Sequence, residues 1–485
     1  MRGTMFASRK KQSLKKEYDV IVAGGGASGL IAAKAAARNG AKTLLVERQG
    51  CLGGVGTTCY VAQYIGFFNG ELQAVWGTPN EFLKEIVKAG GSDGFTYYTM
   101  AEASASPVNI YNFPFNPEVV KYVADEFVRD ENIDVLFHTQ VVDALVQNGT
   151  ISGVALQCVA GRFEVAAKAI VDATGDATVA QLAGVQFLSD CSGINQKQPT
   201  SLLFRLSNID VKRFRAIPRE RKRELALAGV KKGEIFWESL SFMSTPGGHD
   251  AICLMSRIKG LDMLDAVDLS EAEYIGRRQV QSIVKFLKEN VDGFEKAVLA
   301  NIAARVGVRE TRRIRGRHVL TLEDILEDRQ FPDPVALGCG PVDVHDPNGA
   351  GITLMMPERP WQIPMRCLLP DGIEGLIVTG RAISATHEAN AGSRHMATAM
   401  ALGEAAGTMA AIAAEGGASM ASLDPKVVRD RLRAQSAATS VEDCHRLTDS
   451  EPNTMMRAQA SSRLIIKTGV NASDFDLESV GTSRG

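Results

Sequence analysis

The chain has 485 residues, enough for two or three domain-sized cores, and its 45% hydrophobic and 23% charged content is that of a globular protein. A formal net charge of -2 excludes a global basic field and with it a general nucleic-acid-binding role. Eight cysteines, at 51, 59, 158, 191, 253, 339, 367 and 444, form no C-x-x-C pair, which argues against structural zinc and against a disulfide framework and makes a reducing cytoplasm the default.

The first sixteen residues, ending in Arg9-Lys10-Lys11 and Lys15-Lys16, are basic and lack the apolar stretch of a secretory signal. They read as a disordered tail or as a start better placed at Met5. Order is expected from Tyr18. Asp19 to Ala23 reads as a short buried strand, Leu30 to Asn39 as an Ala-rich helix closed by Gly40, and Thr43 to Val46 as a second strand ending at Glu47. Together they form a βαβ unit of about thirty residues. A Gly-rich stretch, Gly50 to Gly56, follows, and residues 60 to 114 read as irregular and aromatic.

Pro117 to Arg129 is expected as a helix, and Val135 to Thr139 and Val141 to Val146 as strands. Ile151 to Leu156 with Phe163 to Val165 reads as a hairpin, and Ala169 to Ala173 as a further buried strand before Thr174-Gly175-Asp176. From about 186 to 365 charged helices (Val211 to Leu227, Ser270 to Glu289) alternate with β-like stretches and show no second βαβ pattern. Gly375 to Gly380 returns to a strand with a tight turn, and Met396 to Ala414 is a small-residue helix ended by Gly416-Gly417. No apolar run reads as long enough to span a membrane.

The run Gly24-Gly25-Gly26-Ala27-Ser28-Gly29 joins a buried strand to a helix, the context that a dinucleotide fingerprint requires. Gly24 allows the tight turn, Gly26 lets backbone approach a pyrophosphate, and Gly29 lets helix and strand pack closely. The helix start at Ala27 and Ser28 offers N–H groups and a positive dipole end to phosphates. Glu47 stands at the distance expected of a ribose-binding carboxylate. Beyond Arg48, the run Gly54-Val55-Gly56-Thr57-Thr58 lets backbone amides wrap an extended ligand, with threonine hydroxyls as donors.

At these residues the sequence resembles flavoproteins of the glutathione-reductase-like class. More narrowly, it resembles the FAD-dependent oxidoreductases related to the flavoprotein subunits of fumarate reductase and succinate dehydrogenase. The stretches YDVIVAGGGASGLIAAKAAARNGAKTLLVERQGCLGG, AIVDATGDATVAQLAGV, GVRETRRIRGRHVLTLEDILEDRQFPD and GLIVTGRAISATHEANAGSRHMATAMALGEAAGTMAAIAA carry the likeness, in that order. It implies FAD as cofactor, with Glu47 on the adenosine ribose and the Val141 backbone at the adenine. It places Thr174, Gly175 and Asp176 over the nucleotide, although Asp176 could equally cap the helix after it. Gly380 and Arg381 fall near the ribityl-phosphate. Residues 392 to 398, Ser393 among them, bring a helix start to the flavin's pyrimidine end, where N–H groups stabilise the reduced ring.

Flavin chemistry needs side chains that position substrate and move one proton. The arginine cluster from 305 to 317 is the densest source. Read as a strand, Val306, Val308, Glu310, Arg312 and Ile314 share one face, and a buried Glu310 and Arg312 need partners, such as one another. Arg309 or Arg312 either holds a substrate carboxylate or belongs to a structural ion-pair face. His387 resembles a site histidine of the closing segment and is expected to move the proton. Arg394 and His395 are similar candidates, while His249 is a weak one. His345, between Asp343 and Asp346, reads as a hydrogen-bonded turn rather than a metal ligand, and no metal is expected. The spacing of Cys51 and Cys59 disfavours disulfide-reductase chemistry, and no local histidine supports covalent flavin.

The expected fold is α/β, a Rossmann-like FAD/NAD(P)-binding fold with an inserted α+β substrate or cap domain. The boundaries expected are a basic tail at 1–16, an FAD-binding domain from 17–60, 115–185 and 366–417, a cap from 61–114 and 186–365, and a C-terminal helix and polar tail at 418–485. The expected function is an FAD-dependent dehydrogenase or reductase, with hydride transfer at flavin N5, a carboxylate- or hydroxyl-bearing small molecule as substrate, and an external electron acceptor or donor. A non-redox flavin enzyme (hydratase or isomerase) and a flavin-carrying electron-transfer subunit are the alternatives. No nucleic-acid or membrane partner is expected, and homo-oligomerisation stays open.

Overall fold

The structure, a computed structural model, describes residues 14–100, 107–130, 132–189, 197–246, 250–417, 419–450 and 453–455. Most of the basic tail, Cys191, His249 and most of the tail after Ser450 lie outside the described residues.

Strand β1 (Glu17–Ala23) runs into helix α1 (Ala27–Arg38) and returns as β2 (Thr43–Val46). The alanines of α1 leave almost no side-chain volume, so the helix sits deep: Leu30, Ile31, Ala32, Ala33, Ala35 and Ala36 are fully buried. The aromatic segment from 60 to 114 is more regular than its composition suggests. It holds α2 (Gly77–Lys88) and an antiparallel sheet of Gln63–Ile65, Val108–Pro114 and Thr96–Met100.

Helix α3 (Pro117–Phe127) starts on Asn116, whose side chain caps it, and leads to β3 (Ile133–Leu136), β4 (Gln140–Gln147), β5 (Thr150–Cys158) and β6 (Gly161–Asp172). The hairpin arm and the buried strand read separately from sequence are one strand. The first half of β6 pairs antiparallel with β5, and its second half pairs parallel with β1. The polar alternation of Arg162, Glu164 and Lys168 marks the half-exposed part, and the apolar run Ala169-Ile170-Val171 marks the part covered on both faces.

The seven-stranded sheet has the order β3-β2-β1-β6-β5-β4, with β12 (Leu376–Val378) parallel to β6 on its inner half. Strands β3, β2, β1, β6 and β12 are mutually parallel, so their carboxyl ends open on one edge. That edge is where doubly wound sheets bind ligands. Helix α7 (Met396–Gly416) lies along α1 as the other half of the core. It has the length and hydropathy of a membrane span, unlike the expectation from sequence, but 89% of that stretch is buried inside the protein. It is a core helix, apolar all round because it is covered all round.

The inserted part has its own sheet, in which β7 (Phe204–Ser207) is flanked by β9 (Ala251–Cys253) and β10 (Val298–Ile302), with β8 (Phe242–Ser244) outside β9. Helix α5 (Ala266–Asn290) covers it. The helix expected over 211–227 is broken into Val211–Ala216 and Arg219–Lys232, because Pro218 cannot continue it. The buried residues of the second core run from Leu202 to Val306, with Tyr60 packed against them, whereas Phe67, Phe82, Phe113 and Trp361 belong to the large core around α1 and α7. Strand β11 (Val342–His345) and helix α6 (His387–Ser393) complete the elements that shape the site.

Candidate active site

A cavity of about 290 Å³ opens at the carboxyl ends of β1, β2, β6 and β12. Its lining joins Gly24, Gly26, Ala27 and Ser28 after β1, Glu47 and Arg48 after β2, Thr174 and Gly175 after β6, and Gly380 and Arg381 after β12. Gly29 lies behind the wall, where a Cβ would stand 1.8 Å from Gly24 O, so only glycine lets α1 approach its own turn. Helix α1 has no side-chain cap, which leaves its first N–H groups facing the cavity. Glu47 accepts from Gly25 N–H (2.7 Å) and Gln49 N–H (2.8 Å), which aims its carboxylate across the turn. Val141 lines the same end.

Gly54 and Val55 line the cavity, and Gly54 adopts a φ of 56° with its Cα so close to Gly26 that a Cβ would meet it at 2.7 Å. The two glycines form a cradle that any side chain would fill. Thr58 lines the cavity and Thr57 does not, and both hydroxyls donate within the loop rather than outward as the sequence suggested. Thr57 Oγ1 donates to Leu52 O (2.6 Å), away from the cavity, and Thr58 Oγ1 donates to Gly54 O (2.8 Å). They hold the loop. Gly56 likewise lies off the cavity, against Phe115.

Asp176 does not line the cavity and does not cap α4 (Thr178–Leu182), whose N-cap is Ala177. It takes Arg381 and, at 3.9 Å, Arg48. Burial would raise its carboxyl, but these two guanidiniums hold it below the usual range. The turn is instead tied by buried Asp172, which accepts from Thr174 N–H, Thr174 Oγ1 and Ala180 N–H.

The far end of the cavity is cationic. Arg305, Arg309 and Arg394 line it with His345 and His395. Arg394 is paired: it reaches Asp343 Oδ2 (3.1 Å), Asp343 O (2.8 Å) and Gln198 Oε1 (3.1 Å). His345, read from sequence as a turn, is on β11; its Nδ1 accepts from Arg257 (2.9 Å) and its Nε2 lies 3.2 Å from Asp343 Oδ1. Burial and the nearby Arg309 push His345 down to about 3, so it is neutral; Asp343, despite burial, is held well below the carboxylate range by His345 and Arg394. Arg309 differs from Arg394. Among the described residues its NH1 donates only to Pro199 O and Ser201 Oγ, and no carboxylate pairs with it. Burial and the guanidiniums of Arg394 and Arg257 lower it to about 9.

Three expectations are corrected here. His387 does not line the cavity: its Nδ1 bonds Glu310 Oε1 (3.0 Å), in a buried group with Arg313. Residues 306 to 314 are not a strand but an irregular segment with isolated bridges at Gly307 and Ile314, so the alternation assumed for Arg312 fails. Glu310 pairs with Arg313 rather than Arg312, and Arg312 bonds Asp176 O (3.4 Å) and lies over Phe187, outside the cavity. Ser393 is fully buried behind the wall, its hydroxyl without a hydrogen-bond partner. Cys51 lines the cavity, while Cys59 is buried with its thiol toward Val306 O, so the two are not poised as a redox pair. No group of three metal-ligating side chains occurs among the described residues.

The residues fit a flavin dinucleotide. The cradle at Gly26 and Gly54 and the open start of α1 suit a pyrophosphate, and Arg381 Nε and Arg394 Nε are buried donors with no protein acceptor on two cavity-lining residues.

Comparison with known proteins gives the same class. Residues 19–432 match the family described as FAD dependent oxidoreductase. Digeranylgeranylglycerophospholipid reductase 1 of Methanococcoides burtonii is 24% identical over 206 residues, covering 41% of this chain and 47% of the relative. The corresponding reductase of Methanocella arvoryzae is 26% identical over 204 residues, with 41% and 49% covered. The chain thus spans about half the length of the curated relatives it matches. Among solved structures, a geranylgeranyl bacteriochlorophyll reductase-like protein of Thermoplasma acidophilum aligns at TM-score 0.44 and 14% identity, covering 90% of this chain and 97% of that one. The flavin-dependent brominase Bmp2 aligns at 0.47 and 13%, covering 90% and 88%.

Proposed function

The chain belongs to the FAD dependent oxidoreductase family, and on that premise we propose that it is a dehydrogenase or reductase of a small carboxylate-bearing substrate held by Arg309. FAD is its cofactor and supplies hydride exchange at N5 when bound. The observation that carries the substrate class is the charge imbalance at the far end of the cavity. Arg381 and Arg394 have carboxylate partners, Asp176 and Asp343, and among the described residues Arg309 has only neutral oxygens. A lining guanidinium without a counter-ion is a fork set for an incoming anion. Arg305, bonded through Nε to Thr58 Oγ1 (3.3 Å), adds a second cation on the same wall. Arg394 is held in place by Asp343, and His345 steadies Asp343 in turn. An external electron acceptor or donor completes the reaction. A wider kinship with glutathione-reductase-like flavoproteins and fumarate reductase flavoprotein subunits is part of this proposal, supported by the parallel sheet with its antiparallel arm and by the single fingerprint.

The test is a screen of small acids and their neutral amides for bleaching or reoxidation of the bound flavin. The acids are expected to react and the amides to fail. Arg309→Met is expected to keep its FAD and to raise KM by roughly 10- to 100-fold, the loss of a charge-assisted hydrogen bond. Equal use of acid and amide would overturn the substrate class. Turnover without any electron acceptor would favour the non-redox reading.

A further inference from the structure

A bound dinucleotide is ordered along the cavity by its own chemistry. Glu47 and Val141 mark the adenosine end, and the open start of α1 marks the pyrophosphate. The remaining end is lined by Gln63, Ser201, Arg305, Arg309, Arg394 and His395, at the start of α7. The pyrimidine edge of an oxidised flavin carries two carbonyls with the imide N3–H between them. Arginines and the uncapped N–H groups of α7 suit the carbonyls. The imide needs an acceptor.

The side-chain acceptors at this end are either engaged or closed off from the cavity, with one exception among the described residues. Gln63 Oε1 accepts from Asn112 (3.0 Å). Ser201 Oγ donates to Ser256 O and accepts from Arg309. Thr58 Oγ1 donates to Gly54 O and accepts from Arg305. Asp343 Oδ2 accepts from Arg394, its Oδ1 makes no hydrogen bond but is buried against the His345 ring at 3.2 Å, and His345 Nδ1 accepts from Arg257. His395 is the exception. Its Nε2 lies 2.8 Å from Pro341 O, and since a carbonyl only accepts, Nε2 carries the proton. The lone pair of the neutral ring is therefore on Nδ1.

We infer that His395 Nδ1 is the hydrogen-bond acceptor for the imide N3–H of the flavin, and so a positioning residue that selects the ring's orientation at the start of α7. The inference rests on FAD being the bound nucleotide. Turning the ring over would put Cε1 where Nε2 stands and forfeit the hydrogen bond to Pro341 O, so that bond fixes which nitrogen is left over. Although His395 is the N-cap residue of α7, its side chain makes no capping bond, so it is free for a ligand. Burial and the neighbouring Arg394 guanidinium pull it down to about 4, so Nδ1 stays unprotonated at neutral pH.

The test uses apoprotein titrated with FAD and with 3-methyl-FAD, which lacks the imide hydrogen, read by flavin fluorescence. The wild type is expected to prefer FAD by about tenfold or more, the loss of one buried hydrogen bond. His395→Leu is expected to bind FAD about tenfold more weakly and to lose the preference. His395→Asn, whose Oδ1 replaces Nδ1 as acceptor, is expected to restore both. An unchanged FAD affinity or an unchanged preference in the leucine variant would overturn the inference. If that variant does not fold, long-range ¹H–¹⁵N spectra of the histidine-labelled wild type decide. The Nδ1 resonance is expected to move with FAD and not with 3-methyl-FAD, and equal movement or none overturns the assignment. A wild type that binds no FAD would bring down the cofactor reading itself, a distinct outcome.

Discussion

Two buried groups of carboxylate, histidine and arginine lie near the junction of α6 and α7, and they behave in opposite ways. In one, Glu310 receives His387 and Arg313; in the other, Asp343 faces His345 and Arg394. The residue types are the same apart from one methylene in the carboxylate. Burial pulls both histidines down. In His387 burial is the largest single influence, but the hydrogen bond to Glu310 and the charges of Glu310 and Glu388 together overcome it and raise it above the ordinary value. In His345 burial and the cations Arg309 and Arg394 win, and it falls to about 3. The difference lies in what else is nearby. Arg257 donates to the second nitrogen of His345, so a proton there would displace a bond and face a guanidinium. The first group is structural and lies off the cavity. The second is part of the cavity wall, beside Arg305 and Arg309, which add positive charge to that end. Chemical identity does not make a site; the surrounding field does.

Matched substitutions break this comparison most directly. Asp343→Asn is expected to cost about 3–5 kcal/mol in denaturant unfolding, the penalty of stranding a buried cation, and to lower kcat/KM by roughly 100-fold or more. Glu310→Gln is expected to cost a similar amount of stability while leaving kcat/KM within about threefold in the folded fraction. Loss of turnover in folded Glu310→Gln would erase the distinction.

The pH response sharpens it. His387 is raised in the folded state, so its contribution is fully present below the unfolded histidine value and fades as pH rises through the raised one. His387→Gln is expected to lower stability by about 1–2 kcal/mol at pH 6 and by less at pH 9, with kinetics near wild type. His345 is depressed, so the unfolded chain takes up a proton that the folded chain refuses. Its contribution is lost as pH falls from the ordinary value of 6.5 toward about 3. Thermal melts of His345→Gln between pH 7 and 4 are expected to show a shallower acid loss than wild type. An equal slope would mean that His345 is protonated in the fold. The smallest effect is expected for Arg312→Met. With one long bond to Asp176 O and a ring beneath it, stability should change by about 0.5–1 kcal/mol and substrate KM should not move.

Much of the nucleotide end was legible because its signals are local. Gly24 to Gly29, the alanine run of α1 and Glu47 lie within one βαβ unit, where a turn, a helix start and a strand end are set by neighbours in the chain. The aromatic stretch before Pro114 hid α2, because Gly77 and Pro79 stand in its first turn and its amphipathic pattern is short. The merging of the hairpin arm with the central strand in β6 was hidden by Ala166 and Ala167, which suit either face.

The far end was legible only as a set of residue types. Arg305 to Arg317 announced a cation cluster, but which arginine meets the cavity follows from an irregular backbone bridged to residues as distant as Phe187 and Ser201. His387 and His395 are eight positions apart in one segment. The first is turned to Glu310, 77 residues earlier, and the second to Pro341, 54 residues earlier. By itself the sequence determined the dinucleotide turn and the presence of an arginine-rich segment, which rest on short-range backbone geometry and composition, and its resemblance to a family pointed to FAD. Only the tertiary structure decided which guanidiniums lack a carboxylate partner among the described residues and which nitrogen of His395 is taken up by Pro341 O. Those properties belong to pairs of groups that the fold brings together from separate parts of the chain.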